Sequence, residues 1–322
     1  MTRTSLAIIA LMASAIAANA QATCDWKPDR AVNYVIPWGA GGGTDANSRF
    51  LATMLEQRFG VPFNAANRTG GNGVVGHSAI ALADPDGYTI GSATVEITTM
   101  HHLGLTELNQ TSITPIALVD ISPAGFFVSK DSPFNTLADV IENARANPGT
   151  LTGSGTSQGG IWHLALAGLL QKAGLAADAI RWVPSEGAAP ALQELMAGGV
   201  DVATPALSEG RALAAAGEIR PLAVMHGERM GGMADVATAA EQGVDWQLSA
   251  FILLAGPAGL PTEIACSYEK AAVEIFASPE WAAFKESRGA AVVSMGSEEL
   301  TTLLARTSEE LGATMRSIGI AN

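Results

Sequence analysis

Two glycine-crowded turns carry the residue types best suited to chemistry. The first, Pro37-Trp38-Gly39-Ala40-Gly41-Gly42-Gly43-Thr44-Asp45, joins a short apolar run, Val32 to Ile36, to a helical stretch from Ala46 to about Phe59. Glycines let a backbone approach a guest closely, and the amides at a helix start point outward without internal partners. The turn is therefore suited to hold an anion, with Thr44 and Asp45 doubling as helix caps. The alternative is a turn with a structural role alone. The second, Gly153-Ser154-Gly155-Thr156-Ser157-Gln158-Gly159-Gly160, again stands between a strand and a helix and offers hydroxyls beside free amides. Within it Gly155-Thr156-Ser157-Gln158-Gly159 also spells Gly-x-Ser-x-Gly, the elbow of a serine hydrolase, and Asp201 then His226 follow in the serine, acid, histidine order. An elbow sits on a firm apolar strand, whereas this one follows a short, glycine-diluted run. Binding is the favoured reading, and a secreted serine esterase using Ser157, Asp201 and His226 is its rival.

Other chemistries fit less well. Counting Gly-x-Gly-x-x-Gly from Gly39 puts Thr44 at the last place, the next strand offers Asn64 and Asn67 rather than an acid for a ribose, and no lysine follows the glycines as a Walker loop requires. His101 and His102 are adjacent and project to different sides of a regular element, while His77 and His163 stand alone beside apolar residues. No metal or other cofactor is expected. Glu96, just after the strand Tyr88 to Ser92, either receives a guest's amine or hydroxyl or caps a helix. Trp38 and Trp162 flank the two turns and read as covers for a guest's carbon frame; Trp26, Trp182, Trp246 and Trp281 read as packing residues. Neither turn contains Arg or Lys, and Arg68 is the nearest cation, which leaves anion capture to amides, hydroxyls and bridging water.

The elements that must position these residues alternate. Val32 to Ile36, a helix from Ala46, Pro62 to Asn67, a helix from Val74 to Ala83 and Tyr88 to Ser92 form a first set, and Ile116 to Val119 with Gly125 to Ser129 lead onward. A second set follows: a helix capped by Thr136, Leu151 to Ser154, a helix opened by Gly159-Gly160, Arg181 to Pro184, Ala188 to Ala197, Val200 to Ala203, Ser208 to Ala216 and Arg220 to Met225. After Leu248 to Ala255, helices near Pro261 to Ala277, Pro279 to Arg288 and Ser297 to Ile318 have no strands of their own and are expected to pack back on the first set. This order predicts an α/β chain of mostly parallel sheets flanked by helices. It also predicts two lobes, 21–125 plus 250–322 and 126–249, with a cleft at the hinge between them.

Bulk properties narrow the setting. Met1 to Ala20 has a basic start at Arg3, an apolar run from Leu6 to about Ala17 and the small-x-small ending Ala18-Asn19-Ala20, so a secretion leader cleaved after Ala20 and a periplasmic product are expected. The 18 basic residues against 31 acidic ones give a net charge of −13, which repels nucleic acid and anionic membranes. Cys24 and Cys266 are a disulfide pair or two free thiols.

Together, the leader, the motif at 37–45, Asn67-Arg68-Thr69-Gly70-Gly71 and Asp84-Pro85-Asp86-Gly87-Tyr88 resemble the extracytoplasmic receptors of tripartite tricarboxylate transporters. So do Gly153 to Gly160 before a helix containing His163, Ala189-Pro190-Ala191-Leu192, Gly198-Gly199-Val200-Asp201 and Leu222-Ala223-Val224. The resemblance spans essentially all of the mature chain. It implies a two-lobed periplasmic-binding fold, acting as a monomer without turnover, that closes on a small organic acid and presents it to a permease of one large and one small membrane subunit. It further implies that the ligand meets Trp38, Ala40, Gly41, Gly42, Gly43, Thr44 and Asp45 in the first loop. In the second lobe it implies contact with Ser154, Gly155, Thr156, Ser157 and Gln158, and with Thr204 and Pro205 after a later strand. Relatives tend to have small polar residues in place of Glu96, which argues against a plain dicarboxylate.

Overall fold

The computed structural model describes residues 24–321, and the expected leader lies outside them. The first set of elements is β1 (Val32–Ile36), α1 (Gly43–Phe59), β2 (Phe63–Asn67), α2 (Val74–Ala81), β3 (Thr89–Thr94) and the long β4 (Ile113–Pro123). The second is β5 (Gly125–Ser129), α3 (Leu137–Ala146), β6 (Thr152–Ser154), α4 (Ile161–Lys172), β7 (Arg181–Trp182), α5 (Ala188–Ala197), β8 (Val202–Ala203), α6 (Arg211–Ala215) and β9 (Ile219–Val224). The chain then returns through β10 (Ser249–Pro257) to α7 (Thr262–Phe276), α8 (Pro279–Ser287) and α9 (Ser297–Ser317).

Local chemistry explains the boundaries. Gly42, extended at φ −79°, caps α1; Asp45 sits in its first turn, Arg58 in its last, and Gly60 at φ 76° ends it. At α3 the Thr136 hydroxyl accepts the Asp139 N–H while Asp139 accepts the Thr136 N–H, a reciprocal capping box. The expected helix from Ser208 differs: Leu207–Gly210 is a 3-10 turn and α6 covers Arg211–Ala215. The side-chain-free Gly210 lies against the Phe127 ring, where a Cβ would come within 2.4 Å. Glu209 accepts the Ala206 N–H, which fixes the tighter turn.

Two five-stranded sheets result, in the orders β2-β1-β3-β10-β4 and β7-β6-β8-β5-β9. Each is mixed, with one reversed strand: β10 runs antiparallel to β3 and β4, and β5 runs antiparallel to β8 and β9. The reversed strands are those that start after a crossing. β4 passes through Ala124 directly into β5, while β10 returns beside β4. Backbone bonds from Ala124 N–H to Leu248, from Met225 N–H to Ala124 and from Leu248 N–H to Met225 knit the two crossings together. The molecule is thus an α/β, two-lobed, periplasmic-binding type of fold, with helices flanking both sheets.

The tail packs on the first lobe, with Tyr268 and Trp281 fully buried in the cluster that holds Val32, Ile36, Leu51 and Ile90. At the far edge Cys24 and Cys266 form a disulfide, their Cα atoms 5.3 Å apart, which ties the start of the described chain to α7. Among the described residues no helix is long and apolar enough to cross a membrane.

Candidate functional site

A cavity of about 200 Å³ opens between the two sheets. The first lobe lines it with Trp38, Gly39, Ala40, Gly42, Gly43 and Thr44 after β1, with Thr94 at the end of β3 and Glu96 just beyond it, and with Asp120 and Ser122 of β4. The second lobe supplies Thr156, Ile161 and Trp162, the start of α5 from Glu186 to Pro190, and Ser208 with Glu209. Arg288, at the end of α8, completes the wall.

The first loop is open. Gly41 has φ +88°, a conformation that favours glycine, and its N–H donates to Asp45 Oδ2 at 3.0 Å. Asp45 does not line the cavity. It clasps the loop instead: Oδ1 accepts from Asn67 Nδ2 and Arg49 Nε, at 2.8 and 2.9 Å. Burial raises its pKa, but the bonds from Asn67, Gly41 and Arg49 outweigh that and hold the carboxyl below its usual range. The first-turn amides of α1 are left facing the cavity. One of them, Gly43 N–H, donates at 2.8 Å to Glu209 Oε1, a carboxylate from the opposite lobe.

A matching contact runs the other way. Glu96 is 2% exposed, accepts the Thr94 hydroxyl at 2.6 Å, and accepts Ile161 N–H at the start of α4 at 3.4 Å. Each lobe thus places a glutamate on the helix start of the other. Burial pushes both carboxyls above their usual range, against these hydrogen bonds. Thr94 is held in turn by His77, whose Nε2 accepts the Thr94 N–H while Nδ1 donates to the Gly73 carbonyl at 2.7 Å. Those two roles require the neutral ring, and burial lowers its pKa to about 4. The Thr94 hydroxyl also accepts Trp38 Nε1–H at 3.0 Å, fixing the indole at the cavity edge.

The second loop is largely packed. A Cβ on Gly155 would lie 2.6 Å from Trp162 Cβ and 3.1 Å from the Trp182 ring. Ser154 donates its hydroxyl to the Val183 carbonyl, Trp182 Nε1–H donates to the Thr156 carbonyl, and Gly159 N–H donates to His163 Nδ1. Thr204 is fully buried and donates to the Trp162 carbonyl. Of the second-lobe residues anticipated from sequence, Thr156 lines the cavity; Ser154, Gly155, Ser157, Gln158, Thr204 and Pro205 stand outside its wall. In the first lobe Trp38, Ala40, Gly42, Gly43, Thr44 and Glu96 line it, and Gly41 and Asp45 brace it from outside. Asn72, 7% exposed at φ 56°, has no hydrogen-bond partner for its side chain among the described residues, and its Oδ1 and Thr156 Oγ1 converge on Gly160 at the seam between the lobes.

Beneath the first loop lies a buried ion pair. Lys285 Nζ bonds Asp120 Oδ1, Asn47 Oδ1 and the Val119 carbonyl, and Ser122 donates to Asp120 Oδ2. Burial lowers the Lys285 pKa against the pull of Asp120. The cation that reaches the cavity is Arg288 rather than Arg68, and it makes no ion pair among the described residues. The serine-hydrolase residues do not meet by hydrogen bonding: Asp201 accepts the Thr152 N–H and hydroxyl at 2.7 and 2.8 Å, and His226 Nδ1 accepts the Glu228 N–H. No three His, Cys, Asp or Glu side chains among the described residues gather to hold a metal.

Sequence reasoning missed Glu209, Arg288, Asn47 and the Asp120–Lys285 pair. The motif Ala189-Pro190 did carry a signal, since it marks the start of α5 that enters the wall.

Comparison with known proteins agrees with this fold. A UPF0065 protein of Bordetella pertussis is 27% identical over 318 residues, covering 98% of this chain and 96% of its own length. Among solved structures, an R. palustris protein with adipate superposes with a TM-score of 0.85 at 28% identity, covering 92% of this chain and 99% of its own. The periplasmic binding protein BugD shares the fold at a TM-score of 0.84 and 24% identity, covering 91% and 99%. The model of the tripartite tricarboxylate transporter family receptor matches residues 48–320, and the chain belongs to that family of solute-binding receptors.

Proposed function

We propose that this chain is an exported, periplasmic receptor that captures a small carboxylate-bearing metabolite, a tricarboxylate, dicarboxylate or related organic acid. It delivers the guest unaltered to a membrane permease of one large and one small subunit. The observation that carries the reading is the cavity between the sheets, walled by the starts of α1, α4 and α5 and by Arg288, which makes no ion pair among the described residues. The start of α5 and a guanidinium are complementary to carboxylate oxygens, and Trp38 and Trp162 supply apolar cover for the carbon frame. The adipate-bound relative is consistent with that ligand class.

The lobes, 21–125 plus 250–322 and 126–249, act as rigid halves of a monomer that swing about Ala124 and the return into β10. Binding without turnover fits the separate engagements of Asp201 and His226. A melting-shift screen over citrate, smaller dicarboxylates, amino acids and aromatic acids tests the reading. One or more of these carboxylates raises the melting temperature in a saturable way. A chain indifferent to all of them, or one that cleaves a model ester through Ser157, would overturn it.

A further inference from the structure

The receptor reading leaves open what distinguishes the guest, and the two crossing glutamates bear on that choice. The anion-gripping amides best placed for a guest carboxylate, Gly43 N–H on α1 and Ile161 N–H on α4, already donate to Glu209 and Glu96. Each of the four carboxylate oxygens accepts one donor: Thr94 and Ile161 serve Glu96, and Gly43 and Ala206 serve Glu209. In the ionised form each carboxylate oxygen has two lone pairs, so each keeps one for a further donor. Glu186, an exposed residue, also belongs to the wall. Asp120 is matched by Lys285, and among the described residues Arg288 is the cation of the wall, its charge pulling the Glu209 carboxyl down against burial. The Asn72 amide, unpartnered beside Thr156, adds polar capacity on the same seam. A guest that is only anionic would meet like charge at both lobes.

We propose that the site selects a carboxylate that also bears an N–H donor head, an ammonium or amide, with the carboxylate on Arg288 and the start of α5 and the donor head bridging Glu96 and Glu209. The inference rests on the receptor reading above and narrows it to one ligand class. Because the glutamates belong to opposite lobes, the donor head also supplies the contact that holds the lobes together.

Matched pairs of equal chain length test it by calorimetry on the wild-type chain: succinate against aspartate and asparagine, glutarate against glutamate and glutamine, adipate against 2-aminoadipate. In at least one series the nitrogen-bearing member binds tenfold or more tightly than the plain diacid. Glu96→Gln and Glu209→Gln keep the shape and one carbonyl acceptor each, and each shrinks that preference at least tenfold. Plain diacids that bind as tightly as their nitrogen-bearing partners overturn the proposal and leave the receptor reading standing. A chain that binds no member of any series but binds citrate or an aromatic acid overturns the proposal alone, and one that binds none of these overturns both. Should either variant misfold, the wild-type comparison alone still decides the matter.

Discussion

The two glycine loops have similar compositions and opposite employment. Around the first, Trp38, Gly39, Ala40, Gly42, Gly43 and Thr44 face the cavity, and its conformation is held from behind by Asp45, Asn67 and Arg49. In the second, Thr156 faces the cavity while its neighbours are committed to Val183, Trp182 and His163. Glycine serves exposure in one loop and close packing in the other. The difference lies in what stands behind each: a polar clasp for the first, two indoles for the second.

Four perturbations probe that contrast, in falling order of effect. Lys285→Met removes the cation beneath the first loop and strands Asp120 in the interior, which lowers unfolding free energy by about 3–5 kcal/mol. Urea unfolding that barely moves would show that the pair does not support the loop.

Acid should loosen both loops together, because each rests on a buried neutral histidine, His77 for the first and His163 for the second. Both have folded pKa values lowered to about 4 by burial. Their stabilising contribution is complete above the unfolded value near 6.5 and is lost as pH falls through 4. The full loss is on the order of 3 kcal/mol per ring. Replacing His77 or His163 by Gln flattens the pH dependence of the melt between 6.5 and 4; equal slopes in variant and wild type would contradict the assignment.

Gly155→Ala forces a methyl against Trp162 and Trp182 and costs about 1–3 kcal/mol by overpacking. Gly42→Ala meets Glu209 Oε1 at 3.8 Å, an ordinary contact, and changes stability by less than about 0.5 kcal/mol. Equal effects of the two alanines on the melting temperature would erase the distinction between the loops.

Much of the fold was legible because its signals are local. β1 and α5 begin and end where the apolar runs and flanking glycines put them, and Thr136 announces α3. The first loop was legible for the same reason, as a strand, a glycine run and a helix in immediate succession. Strand direction was less so: the reversal of β5 and β10 depends on how the chain crosses between sheets, and a period-two pattern carries no arrow. The missed site residues are distant in sequence from what they touch. Glu209 reaches Gly43 across 166 residues and Lys285 reaches Asp120 across 165. Glu209 also sits in the first turn of the helix expected from Ser208, whereas the structure winds Leu207–Gly210 as a 3-10 turn with Gly210 packed on Phe127. Arg288 has no local motif at all. The packing of the second loop was not legible, because composition shows hydroxyls and amides but not the indoles beside them.

The most direct test of the central claim is calorimetric titration of the wild-type chain and of Gly42→Val with the best-binding carboxylate of the screening panel. The account predicts one saturable site per wild-type chain and no measurable binding by Gly42→Val, with guest-free melting curves that coincide. A Gly42→Val chain that binds with wild-type affinity would place the guest somewhere other than the first loop and contradict the account.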